Sequence, residues 1–214
     1  MIRVLLVDDH DIVRAAIKSL LKDAKDINVV GESSNGEDAI RVTREVMPDV
    51  VIMDLNMPGM GGFEAVMRLL QIKPAPKILV LSTYTSGLVP ARLLDLGASG
   101  YLSKRANREE MICAIQAVNA GKRYIDQSME KAIASLHIGL QNNPHPMMQL
   151  SERELQVLIM IAHSVKRHEI AKNLYLSKKT IDGYVSKALK KLNANTEAEA
   201  VRIAIESGLI NTDG

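Results

Sequence analysis

With a single cysteine in 214 residues, the chain can form no disulfide framework. That residue, Cys113, stands among Met111, Ile112, Ile115 and Val118 in a helical apolar pattern, so it is expected in a core rather than as a nucleophile. Long hydrophobic runs are missing too. Nothing approaches the ~20 apolar residues of a membrane span. The opening MIRVLLVDD is a short apolar run cut off by carboxylates, unlike a secretory signal. The expected location is the cytoplasm. Excess charge of one sign is also absent, the net charge being only +2. What remains is a 47% hydrophobic composition, ordinary for a chain long enough for two modest domains with real cores.

The small positive charge is unevenly placed. Residues 151–214 carry 10 Lys/Arg against 8 Asp/Glu, whereas residues 1–150 hold 17 of each. Between His163 and Lys191 the cations are Lys166, Arg167, Lys172, Lys178, Lys179, Lys187, Lys190 and Lys191, opposed only by Glu169 and Asp182. Such a run is either a solvated helix face or a surface for a polyanion.

Five apolar runs, at 2–7, 27–32, 49–54, 77–82 and 100–104, read as strands. Between them Val13, Ala16, Ile17, Leu20 and Leu21, then Ala39, Ile40 and Val46, and later Met111, Ile115 and Val118 fall at helical spacing. This alternation predicts an α/β fold, a doubly wound, five-stranded parallel sheet of flavodoxin-like type. Its functional crevice should lie beyond the carboxyl ends of the strands. Those ends carry Asp8 and Asp9, then Asp54, Ser82 and Lys104. Carboxylates crowded on one edge repel one another unless a cation or Lys104 neutralises them. An oxygen-rich set of this kind suits Mg²⁺, and an Asp beside Mg²⁺ can attack phosphorus to form an aspartyl phosphate. Lys104 would then neutralise the transferred group and Ser82 would hydrogen-bond it. The competing reading makes Asp54 a simple turn residue before MPGMGG.

VDDH at 7–10, MDLNMPGMGG at 53–62, LST at 81–83 and GYLSK at 100–104 resemble the receiver domain of two-component response regulators, over residues 1–122. The resemblance implies that Asp54 is the phosphoacceptor and that Asp8, Asp9, Asp54 and the Asn56 backbone carbonyl hold Mg²⁺. It also implies that Ser82 and Lys104 contact the phosphoryl group and that Tyr101 is a switch aromatic. Two other readings compete for the same sheet. A phosphatase of the haloacid-dehalogenase type needs a second Asp two residues after the nucleophile as general acid, and Asn56 stands there. A flavodoxin-like cofactor binder needs a Gly- or Ser/Thr-rich phosphate loop after Val7, where DDH stands instead. An enzyme is therefore not expected.

Residues 123–148 read as a linker. Within it 127–137 fits one helix, while QNNPHPMMQ at 141–149 holds two prolines and little periodicity. His137 and His145 lack the neighbouring ligands of a metal site. From 149 to 214 the pattern is all-helical. Ser151 and Glu154 form a capping box opening a helix to His163, and a short helix HEIAKNL follows. Ser177 caps a helix over 178–192 that buries Ile181, Val185, Ala188, Leu189 and Leu192. Thr196 and Glu199 cap a last helix ending near Gly208. Four helices, the third basic and entered through a tight turn, predict a helix-turn-helix domain.

LSERELQVL, EIAKNLYLSKKTI and ALKKLNANTEAEAV resemble the DNA-binding domain of the NarL/FixJ (LuxR-type) family. GYLSK, LSERELQV, LSKKTI and KLNANTEAEAV look most like its GacA/UvrY branch. The partners implied are a sensor histidine kinase of BarA type, double-stranded promoter DNA and, once phosphorylated, a second copy of the chain. The resemblance implies that helix 178–192 enters the major groove, with Lys178, Lys179, Thr180, Lys187 and Lys190 or Lys191 toward phosphates. Asp182, Gly183 and Ser186 would then face base edges. The family commonly ends its first DNA-domain helix with glycine; here Ser164 stands in that place. The expected function is a DNA-binding response regulator. The alternative is a phosphorylation-independent regulator whose receiver is only a docking module.

Overall fold

The computed structural model describes residues 1–55, 57, 60–82, 88–127, 129, 130, 133 and 145–207. Contacts divide the chain into two compact units, Met1–Thr85 with Pro90–Lys131, and Ser86–Val89 with Ala132–Gly214.

The first unit alternates strands and helices: β1 (Ile2–Val7), α1 (Asp11–Leu21), β2 (Ile27–Ser33), α2 (Gly36–Val46), β3 (Val50–Asp54) and α3 (Gly61–Leu69). It continues with β4 (Lys77–Ser82), α4 (Leu88–Asp95), β5 (Gly100–Ser103), α5 (Arg108–Asn119) and β6 (Tyr124–Ile125). All strand pairs are parallel, in the order β2-β1-β3-β4-β5-β6. The central strands carry apolar residues on both faces because helices cover both. Val50, Val51 and Met53 of β3 have no exposed surface. On one face Ile17 and Leu21 of α1 and Met111, Ala114, Ile115 and Val118 of α5 pack on Val4, Leu6, Ile52, Leu79, Leu81 and Leu102. Helices α2 and α3 contact each other, α2 also meets β1 and β2, and α3 meets β3.

The doubly wound parallel sheet matches expectation, with one strand more than the five anticipated. The sixth, Tyr124–Ile125, pairs with Gly100 and Tyr101 and lies inside the stretch read as a linker. Cys113 departs from expectation: it is exposed. It falls off the stripe 111, 114, 115 and 118 that α5 turns to the sheet, so the apolar neighbours in sequence are not neighbours in space. Ala16 is exposed for the same reason on α1.

The second unit holds α6 (Glu152–Ala162), α7 (Arg167–Asn173), α8 (Lys178–Leu192) and α9 (Glu197–Glu206). A 3-10 turn, Pro146–Gln149, precedes them, capped by His145, and buries Met147; this end of the expected linker is therefore structured. Residues 127, 129, 130 and 133 are helical, and the rest of the expected helix 127–137 lies outside the described residues, as does the expected stop of the last helix near Gly208. Ser151 and Glu154 close a capping box, with Ser151 Oγ accepting from Glu154 N at 3.3 Å and Glu154 Oε2 accepting from Ser151 N at 2.7 Å. Ser177 and Thr196 cap α8 and α9 through Thr180 N and Glu199 N. Val157, Met160, Ile170, Ala171, Leu174, Ile181 and Val185 form the core.

Candidate metal centre and nucleic-acid interface

The sheet order places β1 beside β3, at the point where the chain reverses its direction of winding. Val7 pairs with Met53, so the residues that follow each of these, Asp8 and Asp54, emerge side by side. Both are buried, 2% and 1% exposed, which would be costly for two like charges left alone. Lys104, just beyond β5, resolves this. Its Nζ lies 2.8 Å from Asp8 Oδ2 and 2.9 Å from Asp54 Oδ2. Burial pushes the lysine toward the neutral form, but hydrogen bonds to Asp8 and Asp54 and their charges override it, leaving the Lys104 pKa above its ordinary value. The ammonium is thus firmly charged.

Asp8, Asp9, His10 and Asp54 each offer a ligand atom, and these atoms all lie within 4.8 Å of one another. The carboxylates provide the hard oxygen donors that Mg²⁺ requires. His10 was not anticipated as a member. Its Nδ1 lies 2.8 Å from Asp9 Oδ1 and 3.2 Å from Asp8 Oδ1, and its backbone N–H donates to Asp8 Oδ1 at 2.8 Å. Arg14 was likewise unforeseen; its Nη1 donates to the Asp8 carbonyl at 2.5 Å. Ser82 ends β4, fully buried, and its carbonyl accepts from the Lys104 backbone N–H at 3.0 Å. Tyr101, on β5, is also fully buried. Asn56 lies outside the described residues. Past β3 the chain is pressed tightly: a Cβ on Gly62 would stand 1.9 Å from the Asp54 carbonyl oxygen and 2.5 Å from Leu55 Cα. Only glycine fits there. A cavity of about 400 Å³ at the opposite end of this sheet, beside Asp49 and Lys77, contains none of these groups.

In the second unit α8 buries Ile181, Val185, Ala188 and Leu192. At 3.6 residues per turn, Lys179, Gly183, Ser186 and Lys190 fall on the opposite side, with Lys187 and Thr180 toward one flank. Lys178, Lys179, Thr180, Gly183, Ser186, Lys187 and Lys190 are placed at least partly in solvent. A Cβ on Gly183 would meet nothing within 4 Å. Two residues expected at DNA are engaged within the protein. Lys191 Nζ lies 2.6 Å from Oε2 of the buried Glu154. Asp182 Oδ1 accepts from Arg167 Nη1, and Arg167 Nη2 reaches Glu197. Ser164, after α6, has φ 60°, the left-handed conformation a glycine would take without strain.

Residues 4–116 match the response regulator receiver domain, and residues 148–204 match the bacterial regulatory proteins of the luxR family. The response regulator UvrY of Escherichia coli (strain K12) is 43% identical over 213 residues, covering 100% of this chain and 98% of that protein. The response regulator GacA of Pseudomonas aeruginosa is 40% identical over 211 residues, 99% of each. The chain is a response regulator with a LuxR-type DNA-binding domain. Among solved structures, Salmonella typhimurium RcsB matches this regulator with a TM-score of 0.70 at 25% identity, over 96% of this chain and 98% of that one. An RcsB–DNA complex matches with a TM-score of 0.62 at 26% identity, over 96% and 98%.

Of the residues anticipated in the regulator's receiver, the fold therefore brings Asp8, Asp9, Asp54 and Lys104 into one cluster and links Ser82 to it through the backbone. His10 stood in the VDDH motif, and its position beside two carboxylates was the available signal. Arg14, one turn into α1, and Gly62 gave no chemical signal of their own.

Proposed function

We propose that this regulator accepts a phosphoryl group on Asp54 from a kinase phosphohistidine. The carrying observation is the single ammonium of Lys104 held between Asp8 and Asp54. An Asp54 carboxylate oxygen attacks phosphorus, the P–N bond to the kinase imidazole breaks, and the imidazole leaves and takes up a proton. Asp8, Asp9 and Asp54, with the Asn56 carbonyl, are the groups that would hold Mg²⁺, which when bound offsets charge on the transferring group. His10 orients Asp9 and Asp8. Lys104 is already charged and in place, so the ~1.5 to 2 negative charges of the new group draw it from Asp8 toward Asp54, with Ser82 following as hydrogen-bond donor. Tyr101 is the aromatic through which the shift reaches the receiver surface.

The receiver, expected to end near residue 122, runs on through β6 at Tyr124–Ile125, and the DNA-binding domain, expected from 149, takes in the turn at Pro146–Gln149. The second domain places α8 in the major groove of promoter DNA, with Lys178, Lys179, Thr180, Lys187 and Lys190 toward phosphates and Asp182, Gly183 and Ser186 toward bases. Phosphorylation favours a dimer that meets two half-sites. The kinase partner is of the BarA type, and action on promoter DNA puts the regulator in the cytoplasm. It transfers no phosphate onward to water as a catalyst, since position 56 is Asn rather than the general acid a phosphatase needs.

The test is acetyl phosphate with Mg²⁺, followed by intact-mass measurement. Wild type gains one phosphoryl group and Asp54→Asn gains none. Lys104→Ala is labelled but its DNA affinity no longer responds. A mass gain in Asp54→Asn equal to wild type removes Asp54 from this role, and an unlabelled wild type that still binds promoter DNA favours the phosphorylation-independent reading.

A further inference from the structure

Arg167, the first residue of α7, stands between two carboxylates from two other helices. Its Nη1 donates to Asp182 Oδ1 on α8 and its Nη2 to Glu197 Oε1 in the first turn of α9. The three side chains are 37%, 42% and 36% exposed, so the pairs sit at the surface and contribute little to holding the domain together. That work is done by Ile181, Val185 and Ala188, all nearly or fully buried. What the arrangement does fix is direction. Asp182 lies at the edge of the outward face of α8, next to Gly183, which carries no side chain, and one turn before Ser186. It is the only carboxylate on α8, and no other described donor is bonded to it.

We propose that Arg167 is a specificity-determining positioning residue: it clamps Asp182 through Oδ1 so that Oδ2 is offered as an oriented acceptor to a cytosine amine in the major groove. The inference rests on the reading that α8 enters that groove. An unheld aspartate facing a polyanion turns away from it, and its acceptor is lost among several rotamers. Held by a guanidinium, its charge is offset and one oxygen keeps a single direction, which is the geometry that base-edge recognition requires. Glu197 supports the clamp from behind by occupying the other arm of the fork, which Lys cannot do. Arg167 lies fifteen residues before Asp182 and touches no base itself.

The experiment uses the full chain and a pool of duplexes with a randomised centre, selected by binding and sequenced. Wild type, Asp182→Ala, Arg167→Ala, Arg167→Lys and the double variant Arg167→Ala/Asp182→Ala are compared, with thermal unfolding as the fold control. Asp182→Ala should lose its preference at one base pair of each half-site by roughly tenfold. Arg167→Ala should lose the same preference although Asp182 is present, and the double variant should lose no more than either alone. Arg167→Lys should keep the wild-type affinity for the unselected pool yet lose that preference; it carries the test if Arg167→Ala does not fold. The proposal is overturned if Arg167→Ala and Arg167→Lys retain the preference that Asp182→Ala loses, if the two losses fall at different base pairs, or if Asp182→Ala selects the wild-type sequences. Lys190→Ala separates the underlying reading: if it leaves affinity for the pool unchanged and wild type selects nothing, α8 is not the reading element.

Discussion

Lys191 points back into its own domain: its Nζ lies 2.6 Å from Glu154 Oε2, joining the end of α8 to the start of α6. Glu154 is buried and already accepts the Ser151 backbone N–H, so the lysine neutralises a carboxylate that has little access to bulk water. A residue expected on the phosphate side of α8 is thereby a tie between helices. Its neighbour Lys187 is left to the solvent.

Lys191→Ala should lower stability at neutral pH by about 1 kcal/mol, measured by urea denaturation. Burial pushes the Glu154 pKa up, but the hydrogen bond from Lys191, those at Ser151 and the lysine charge prevail and hold it below its ordinary 4.5. A depressed carboxylate contributes stability above its unfolded pKa and loses it as pH falls through the folded one. The difference between wild type and Lys191→Ala should therefore be full near neutrality and close below pH 4.5. A gap that persists unchanged into acid would show that the ion pair is not its source.

Lys187→Ala and Lys190→Ala should each weaken binding to operator and random DNA alike and flatten the salt dependence, by a slope of roughly 0.9 for every phosphate no longer neutralised. Lys191→Ala should leave the slope where it was. Salt titrations of the three variants decide between this orientation of α8 and one rotated toward Lys191.

Asp9→Ala should weaken Mg²⁺ binding and labelling by acetyl phosphate together, because Asp9 gives an oxygen to the cluster and anchors His10 at 2.8 Å. Calorimetric titration with Mg²⁺ reads the first effect without any phosphoryl donor. Unchanged Mg²⁺ affinity, with labelling that persists in excess chelator, would mean that the acidic cluster is no metal site.

Ser164→Gly should stabilise the DNA-binding domain by about 1 kcal/mol, since the backbone at φ 60° strains any residue with a Cβ. The Ser164 and Val165 backbone N–H groups already bond to Ile161 and Met160, so the turn itself is retained. A lower denaturation midpoint in Ser164→Gly would show that the serine side chain supports the junction.

The receiver cluster was legible because parallel topology does most of the work: once strands end at Val7, Asp54, Ser82 and Ser103, the groups at and just beyond those ends must share one edge. The caps at Ser151, Ser177 and Thr196 were equally readable, being local in sequence. What could not be read depends on distance along the chain. β6 is two residues long, too short to carry a periodic signal, and forms because β5 offers an open edge. Cys113 looked buried because its neighbours in sequence are apolar, yet it sits outside the stripe that faces the sheet. Asp182 and Lys191 read as DNA contacts by spacing alone, whereas Arg167 and Glu154, fifteen and thirty-seven residues away, determine where they point.

The close approach of Gly62 to the backbone of Asp54 has a consequence for mutational tolerance. A methyl group there would overlap the Asp54 carbonyl at 1.9 Å, and the strand end would have to give way, taking the carboxylate with it. In a saturation library scored by signalling output, Gly62 should be as intolerant of replacement as Asp54 or Lys104. It holds no proton, ligand or charge, so a map of intolerance on this receiver outlines where the polypeptide has run out of room as much as where the chemistry occurs.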